Sequence, residues 1–274
     1  IESLASHWRA DTPVSRFNRK LDTKPFAVSS ELLAILKTAE RIHHKTKGAF
    51  DVTIAPLVNL WGFGPVEQTR GKTPTDEEIE NALVSMGQDK LKLLSNSTIH
   101  KTRADLQIDL SALAKGYAID QVAAQLDELG TMHYLIEFGG ELLAKGNGST
   151  GQGWQVGLEH PLADAKTTRI LRTFSLVNGA VATSGNYRLA FTDPDTGQSY
   201  SHIIDPRTGR PVNHDLLAVS VIASTAIEAD AWATSLLVLG REKGLPLAER
   251  ENLAAFFVEG EPSGIQVTTT SNFS

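Results

Sequence analysis

Apolar residues recur at helical spacing from Leu32 through Leu33, Ile35, Leu36 and Ala39 to Ile42, as on one buried face of an α-helix. The pattern predicts a helix that begins near Ser29-Ser30. It ends in a basic last turn, Arg41, His43, His44, Lys45 and Lys47, before Gly48. A second helix is predicted from Thr75 to Gly87, with Thr75 and Glu78 at the spacing of a capping box. A third runs from about Ser111 to Leu129 and is closed by Gly130. A fourth starts at Thr225, with Thr225 and Glu228 as its capping box, and runs to about Leu239. Short alternating or wholly apolar runs predict strands at 91–94, 98–101, 106–110, 133–138, 141–144, 154–158, 169–177, 180–182, 216–222, 253–258 and 265–268. Helices and strands come in blocks rather than in strict alternation. That argues for an α+β fold of mixed sheets with packed helices over a doubly wound sheet. No repeat, low-complexity linker or composition shift marks a boundary, so one domain over 1–274 is expected.

Composition narrows the function classes. Hydrophobic residues make up 41% of the 274 and charged residues 21%, which excludes a disordered chain, a collagen-like repeat and a coiled coil. The net charge of −6, with no basic cluster, argues against nucleic acid as a partner and against binding acidic lipid through charge. The absence of cysteine excludes disulfides, thiolate metal sites and Cys nucleophiles. It does not settle the compartment, because a chain of this size builds a sufficient core without disulfides. No apolar run reaches the roughly 18 residues of a transmembrane helix, and no signal-peptide pattern opens the chain, which begins at Ile1 rather than Met.

Six segments look unlike plain scaffold. Gly48-Ala49-Phe50-Asp51, leading into Asn59-Leu60-Trp61-Gly62-Phe63-Gly64, combines glycines and aromatics that line a pocket for a flat ligand or simply cap a core. In Asp109-Leu110-Ser111-Ala112-Leu113-Ala114-Lys115-Gly116-Tyr117 an aspartate ends a strand and a helix starts at once. Free N–H groups and Lys115 there favour an anion, while Asp109 or Ser111 serves equally well as a plain N-cap. Gly139-Gly140, with Gly146 and Gly148, allows close backbone approach but lacks the spacing of a dinucleotide fingerprint. The fourth segment is Ala182-Thr183-Ser184-Gly185-Asn186-Tyr187-Arg188. The fifth runs from His202 through Ile203, Ile204 and Asp205 to Pro211, where Asp-Pro and Thr-Gly pairs specify a tight turn; His202 is either a structural residue or a base. In the sixth, Glu228-Ala229-Asp230-Ala231-Trp232-Ala233-Thr234, Asp230 and Thr234 stand one helical turn apart on a face shared with Ala226 and Leu237. A carboxylate on such a face is costly unless paired or bound to a cation, and a carboxylate with a hydroxyl suits Mg²⁺. An exposed Asp and a helix-bonded Thr are the plainer alternative.

Taken in order, from about Trp8 to Gly240, these segments resemble the ApbE-type family, the FAD:protein FMN transferases. The resemblance implies FAD as substrate and a divalent metal, usually Mg²⁺. It implies transfer of the FMN half of FAD onto a Ser or Thr hydroxyl of a target flavoprotein, with release of AMP. By resemblance, Trp8, Ala49, Phe50, Asp51, Asp109, Lys115 and Ile204 lie on the flavin nucleotide. Asp230, Thr234 and the backbone carbonyl of Ala112 hold the metal, and His202 is the candidate base. The implied partner is a flavoprotein subunit of a membrane redox complex. Family members are typically exported bacterial proteins, often lipoproteins. An export signal upstream of Ile1 is therefore expected, with a periplasmic or membrane-anchored product. Three departures stand out: the family's opening Thr-Met-Gly-Thr type strand is missing, Ala233 stands where some relatives carry a second Asp, and Glu141 stands where Asp or Asn is common.

The same site also suits an FAD pyrophosphatase that yields FMN and AMP with water as nucleophile. A non-catalytic flavin carrier would keep the glycines and aromatics but would need neither the Asp230/Thr234 pair nor His202.

Overall fold

The computed structural model describes residues 2–6, 9–65, 72–161, 169–187, 189–261 and 264–273. The chain forms two compact units, Ile1–Ala114 with Leu189–Asn213, and Lys115–Arg188 with His214–Ser274.

The first unit is built around the helix Ser30–Thr46. Ser29 caps it, its side chain accepting from the Leu32 N–H, and Lys47 ends it in the left-handed conformation. Leu32, Leu33, Ile35, Leu36, Ala39 and Ile42 are all buried, as their spacing predicts. The helix Asp76–Ser85 carries the predicted capping box between Thr75 and Glu78. A three-stranded sheet has the order Phe26–Ala27, Thr98–Lys101, Leu91–Leu94, all antiparallel. The shorter helices Pro13–Arg19 and Ala55–Leu60 complete this unit with two ribbons, Ala190–Thr192 with Ser199–Ser201 and Ile204–Asp205 with Arg210–Pro211. One cluster of its core is Leu57, Trp61, Ile79, Met86 and Ile204.

The run at 106–110 is not a strand, contrary to the expectation from its apolar composition. Leu106, Ile108 and Leu110 are fully buried, but the segment's backbone bonds elsewhere than to a ladder. The Asn18 amide accepts from the Ile108 N–H and donates to the Ile108 carbonyl, both at 2.8 Å, while the Asp109 N–H donates to Val52. Burial without a neighbouring strand produces an apolar run that mimics a strand.

The second unit is layered. Six antiparallel strands lie in the order Gly264–Thr269, Ala254–Glu261, Leu216–Ala223, Gly179–Gly185, Glu141–Lys145, Tyr134–Phe138. Side chains alternate between faces along each strand. Ala180, Ala182 and Leu143 meet Ile119 and Ala123 of the helix Ser111–Glu128, and Ala226 and Ala229 of the helix Ala226–Arg250. Val181, Ala144 and Phe256 meet Val156, Leu158, Phe174 and Leu176 of the hairpin Trp154–Glu159/Ile170–Leu176.

The last helix departs from expectation in two ways. Beyond Leu239, where Gly240 at φ 70° breaks the helix as expected, the chain does not leave helical structure: a further helical stretch, which the sequence pattern does not predict, continues to Arg250. His214 Nε2 lies 2.9 Å from the Leu237 carbonyl and satisfies one of the groups freed by that break. Nor does Thr225 cap the start. Its side chain makes no cap bond, and its buried hydroxyl has no hydrogen-bond partner among the described residues. Asp120 takes that role: its carboxylate accepts from the Ala226 N–H at 2.8 Å and the Ile227 N–H at 3.0 Å.

Candidate functional site

In the second unit the chemistry gathers where the two long helices cross. Gly116 lies so close to the last helix that a Cβ there would stand 2.4 Å from the Ala226 carbonyl oxygen. The Gly116 N–H donates to Asp230 Oδ2 at 3.3 Å. Asp230 is only 4% exposed. Burial pushes its carboxyl up to about 7; the Lys115 charge and the Gly116 N–H pull it down, and the nearby Glu141 carboxylate pushes it further up. Lys115 pairs with Glu141, whose own carboxylate is buried. Two buried carboxylates, Asp230 and Glu141, thus lie near the same ammonium. Thr234, one turn beyond Asp230, is hydrogen-bonded to Ser184 Oγ at 3.0 Å.

Among the described residues, no group of three or more His, Cys, Asp or Glu is placed to hold a metal. The donors at hand in this unit are the two Asp230 carboxylate oxygens and the Thr234 hydroxyl, one turn apart on one helix; Ala112 belongs to the first unit. All are hard oxygen donors, and they fit an ion such as Mg²⁺ that takes few protein ligands and fills its shell from phosphate and water.

In the first unit the Gly48–Asp51 segment wraps the end of the long helix. Ala49 and Phe50 are buried; the Phe50 N–H donates to Thr46 Oγ1 at 3.1 Å, and His43 Nδ1 lies 2.8 Å from the Phe50 carbonyl. Asp51 Oδ1 accepts from the Thr53 N–H at 2.8 Å and the Thr53 hydroxyl at 2.6 Å, while Oδ2 accepts from the Gln88 N–H at 3.2 Å. The Asp51 carboxylate therefore fastens its own loop. Asp109 does the same for the start of the next helix, accepting from the Ser111 N–H at 2.8 Å and hydroxyl at 2.6 Å. The bond from its N–H to the Val52 carbonyl, 2.7 Å, sets it beside the Asp51 loop.

The Trp61–Gly64 run and the His202–Pro211 segment meet in the same unit. Trp61 Nε1–H donates to the Gly209 carbonyl at 2.8 Å, and Phe63 lies edge-on to His202 with centroids 6.2 Å apart. Gly209 has φ 71°, and a Cβ there would stand 2.5 Å from Ile79, so the turn admits no side chain. The Ile204 side chain is buried in the core, which leaves backbone as what it can offer a ligand. His202 Nδ1 lies 3.0 Å from the Leu189 carbonyl. A carbonyl only accepts, so Nδ1 donates that bond; in the neutral form of the ring the lone pair then falls on Nε2.

The structure brings Asp230 together with Lys115 in the second unit, and Phe50 and Asp51 together with Asp109 in the first. Trp8 lies outside the described residues. Sequence reasoning included Gly116 only as part of the helix-start segment, missed Asp120, and noted Glu141 only as a departure from the family pattern. The one available signal was Glu141 itself, a charged residue directly before the apolar run Leu142-Leu143-Ala144.

The mixed α+β architecture and the oxygen-rich cluster define a class that comparison identifies directly. The ApbE family model matches residues 1–257. An FAD:protein FMN transferase of Vibrio cholerae is 39% identical over 273 residues, covering 100% of this chain and 80% of that protein. The protein of the same name from Haemophilus influenzae is 36% identical over 277 residues, covering 100% and 79%. The solved flavin transferase ApbE from Vibrio cholerae superposes with a TM-score of 0.89 at 38% identity, covering 99% of this chain and 85% of that one. The apo flavinyl transferase ApbE of Pseudomonas stutzeri gives 0.88 at 38% identity, covering 99% and 83%. The chain belongs to the ApbE family.

Proposed function

We propose that this protein is an FAD:protein FMN transferase, which moves the FMN moiety of FAD to a Ser or Thr hydroxyl of a target flavoprotein and releases AMP with the help of Mg²⁺. The observation that carries this reading is the buried Asp230 carboxylate, held against Gly116 and near Lys115, in a chain whose whole length matches FAD:protein FMN transferases.

In the reaction the acceptor hydroxyl oxygen attacks the FMN phosphorus. The bond from that phosphorus to the bridging oxygen breaks, and the bridging oxygen leaves with AMP. His202 Nε2 takes the hydroxyl proton, a role worth about 10²–10⁴-fold. Such transfers need positioning and charge neutralisation more than covalent chemistry. By the family resemblance Asp230, Thr234 and the Ala112 carbonyl would hold Mg²⁺, which would supply charge neutralisation at the pyrophosphate and the leaving AMP. Lys115 adds a fixed positive charge for the same pyrophosphate. Ala49, Phe50, Asp51, Asp109 and Ile204 form backbone and loop surfaces for the flavin nucleotide, with Trp8 as an aromatic contact.

The target is a subunit of a membrane redox complex, and the protein works on the periplasmic side, exported or lipid-anchored; the family's usual mode of life supports both points. Among the described residues, no helix is long and apolar enough to cross a membrane. The test is to mix protein, FAD, Mg²⁺ and a candidate flavoprotein subunit and look for flavin fluorescence on the denatured acceptor. A fluorescent band that disappears with a Mg²⁺ chelator supports the reading. Free FMN and AMP with no labelled acceptor would make the protein a pyrophosphatase instead.

A further inference from the structure

We infer that Asp120 is a positioning residue for the metal-binding carboxylate: by tying the start of the last helix to its neighbour, it fixes where Asp230 stands. The inference rests on the proposed role of Asp230 as a metal ligand. Five residues carry it, two on one helix and three on the other, spaced about one turn apart so that each set shares a face. On the helix Ser111–Glu128 these are Gly116 and Asp120; on the helix Ala226–Arg250 they are the Ala226/Ile227 end and Asp230. One rung of this ladder is the Asp120 carboxylate, with one oxygen on the Ala226 N–H at 2.8 Å and the other on the Ile227 N–H at 3.0 Å. The other rung is the Gly116 N–H on Asp230 at 3.3 Å.

A helix start capped by its own preceding residue is stabilised but not located. Thr225 stands at the capping position and could do this locally, yet its side chain makes no cap bond. The cap comes instead from a residue 106 positions away in sequence, on the helix that also supplies Gly116. Because both carboxylate oxygens are used, the helix end is fixed in rotation as well as in place. Between the two rungs, Gly116 allows backbone-to-backbone contact with Ala226, so there is no side chain to slide over. Loss of the Asp120 rung leaves, among the described residues, the longer Gly116 bond as the side-chain hydrogen bond that ties Asp230 to the neighbouring helix, beside the packing of the last helix on the sheet. The Mg²⁺ donor should then lose its fixed position before the fold is lost, as happens when residues supporting metal ligands are changed.

The experiment compares wild type, Asp120→Ala, Asp120→Asn and Ser29→Ala. The last removes the cap of a helix in the other unit and serves as a control for stability alone. For each, Mg²⁺ is titrated in the presence of FAD. Half-saturation is read both from the rise in melting temperature and from transfer rate. The inference predicts that Asp120→Ala weakens Mg²⁺ by about tenfold or more, with transfer recovering at high Mg²⁺. Asp120→Asn, which keeps one acceptor oxygen, should fall between Asp120→Ala and wild type. Ser29→Ala should melt earlier with wild-type Mg²⁺ half-saturation. If both Asp120 variants melt earlier but bind Mg²⁺ as wild type does, Asp120 is an ordinary cap and the inference is wrong. If Asp120→Ala does not fold, Asp120→Asn decides by the same criterion. A wild-type protein that shows no Mg²⁺ response overturns the metal reading itself, a result distinct from an Asp120 variant that matches a responsive wild type.

Discussion

His202 Nδ1 lies 3.0 Å from the carbonyl oxygen of Leu189, the residue whose carbonyl also accepts the His202 backbone N–H at 3.1 Å. This double attachment fixes the ring orientation and, in the neutral form of the ring, puts the lone pair on Nε2. His202→Ala should lower the transfer rate by about 10²-fold or more while FAD still binds, as expected for a general base. Single-turnover transfer alongside FAD calorimetry checks this. Near wild-type transfer would return His202 to a structural role.

The raised carboxyl of Asp230 predicts a pH dependence with a definite sign. Its folded value, about 7, lies above the ordinary carboxylate value of 3.8, so between these the metal-free folded protein holds a proton that the unfolded chain has released. That contribution is present at low pH and fades as pH rises through about 7. Without metal, the melting temperature of wild type relative to Asp230→Asn should therefore fall from about pH 4 to about pH 7, the window set by these two values. With Mg²⁺ the trend reverses, because the ion binds the ionised form. Thermal melts of both proteins across that range, with and without Mg²⁺, measure it. Parallel curves for the two proteins would contradict it.

Gly116→Ala adds one methyl where it would stand 2.4 Å from the Ala226 carbonyl oxygen and 2.6 Å from Ile227 Cα. Both obstacles are backbone, so the helices must separate. The expected loss is about 1–3 kcal/mol of stability, with weaker Mg²⁺ binding because the bond to Asp230 lengthens. Urea denaturation is the check, and an unchanged midpoint would mean that the crossing is looser than described.

Much of the fold was legible because it is locally encoded. The helix Ser30–Thr46 shows its apolar face, its Ser29 cap and its basic end in consecutive residues, and the Thr75–Glu78 capping box forms as read. The strand Gly179–Gly185 was read too short because Gly, Thr and Ser give little apolar contrast. The helical stretch after Gly240 was missed because a glycine there reads as a stop, and Pro246 as a second one. The Thr225 box failed for a different reason: a correct local pattern lost to a tertiary partner. The site divides in the same way. Asp230 and Thr234 are visible as a one-turn pair on a small-residue helix face. Their setting is not, since Glu141 lies 26 positions from Lys115 and Gly116 lies 114 from Asp230, separations that no local periodicity records.

The central claim is that FMN passes from FAD to a protein hydroxyl through a site that depends on Asp230. Its most direct test is intact-mass spectrometry of an acceptor flavoprotein subunit incubated with FAD and Mg²⁺, using wild-type protein or Asp230→Asn. The account predicts that with wild type the acceptor gains the mass of one FMN less one water, in step with AMP release, and that with a folded Asp230→Asn protein it gains nothing. An acceptor that stays unmodified while wild type turns FAD into free FMN, or one modified equally well by Asp230→Asn, would contradict it.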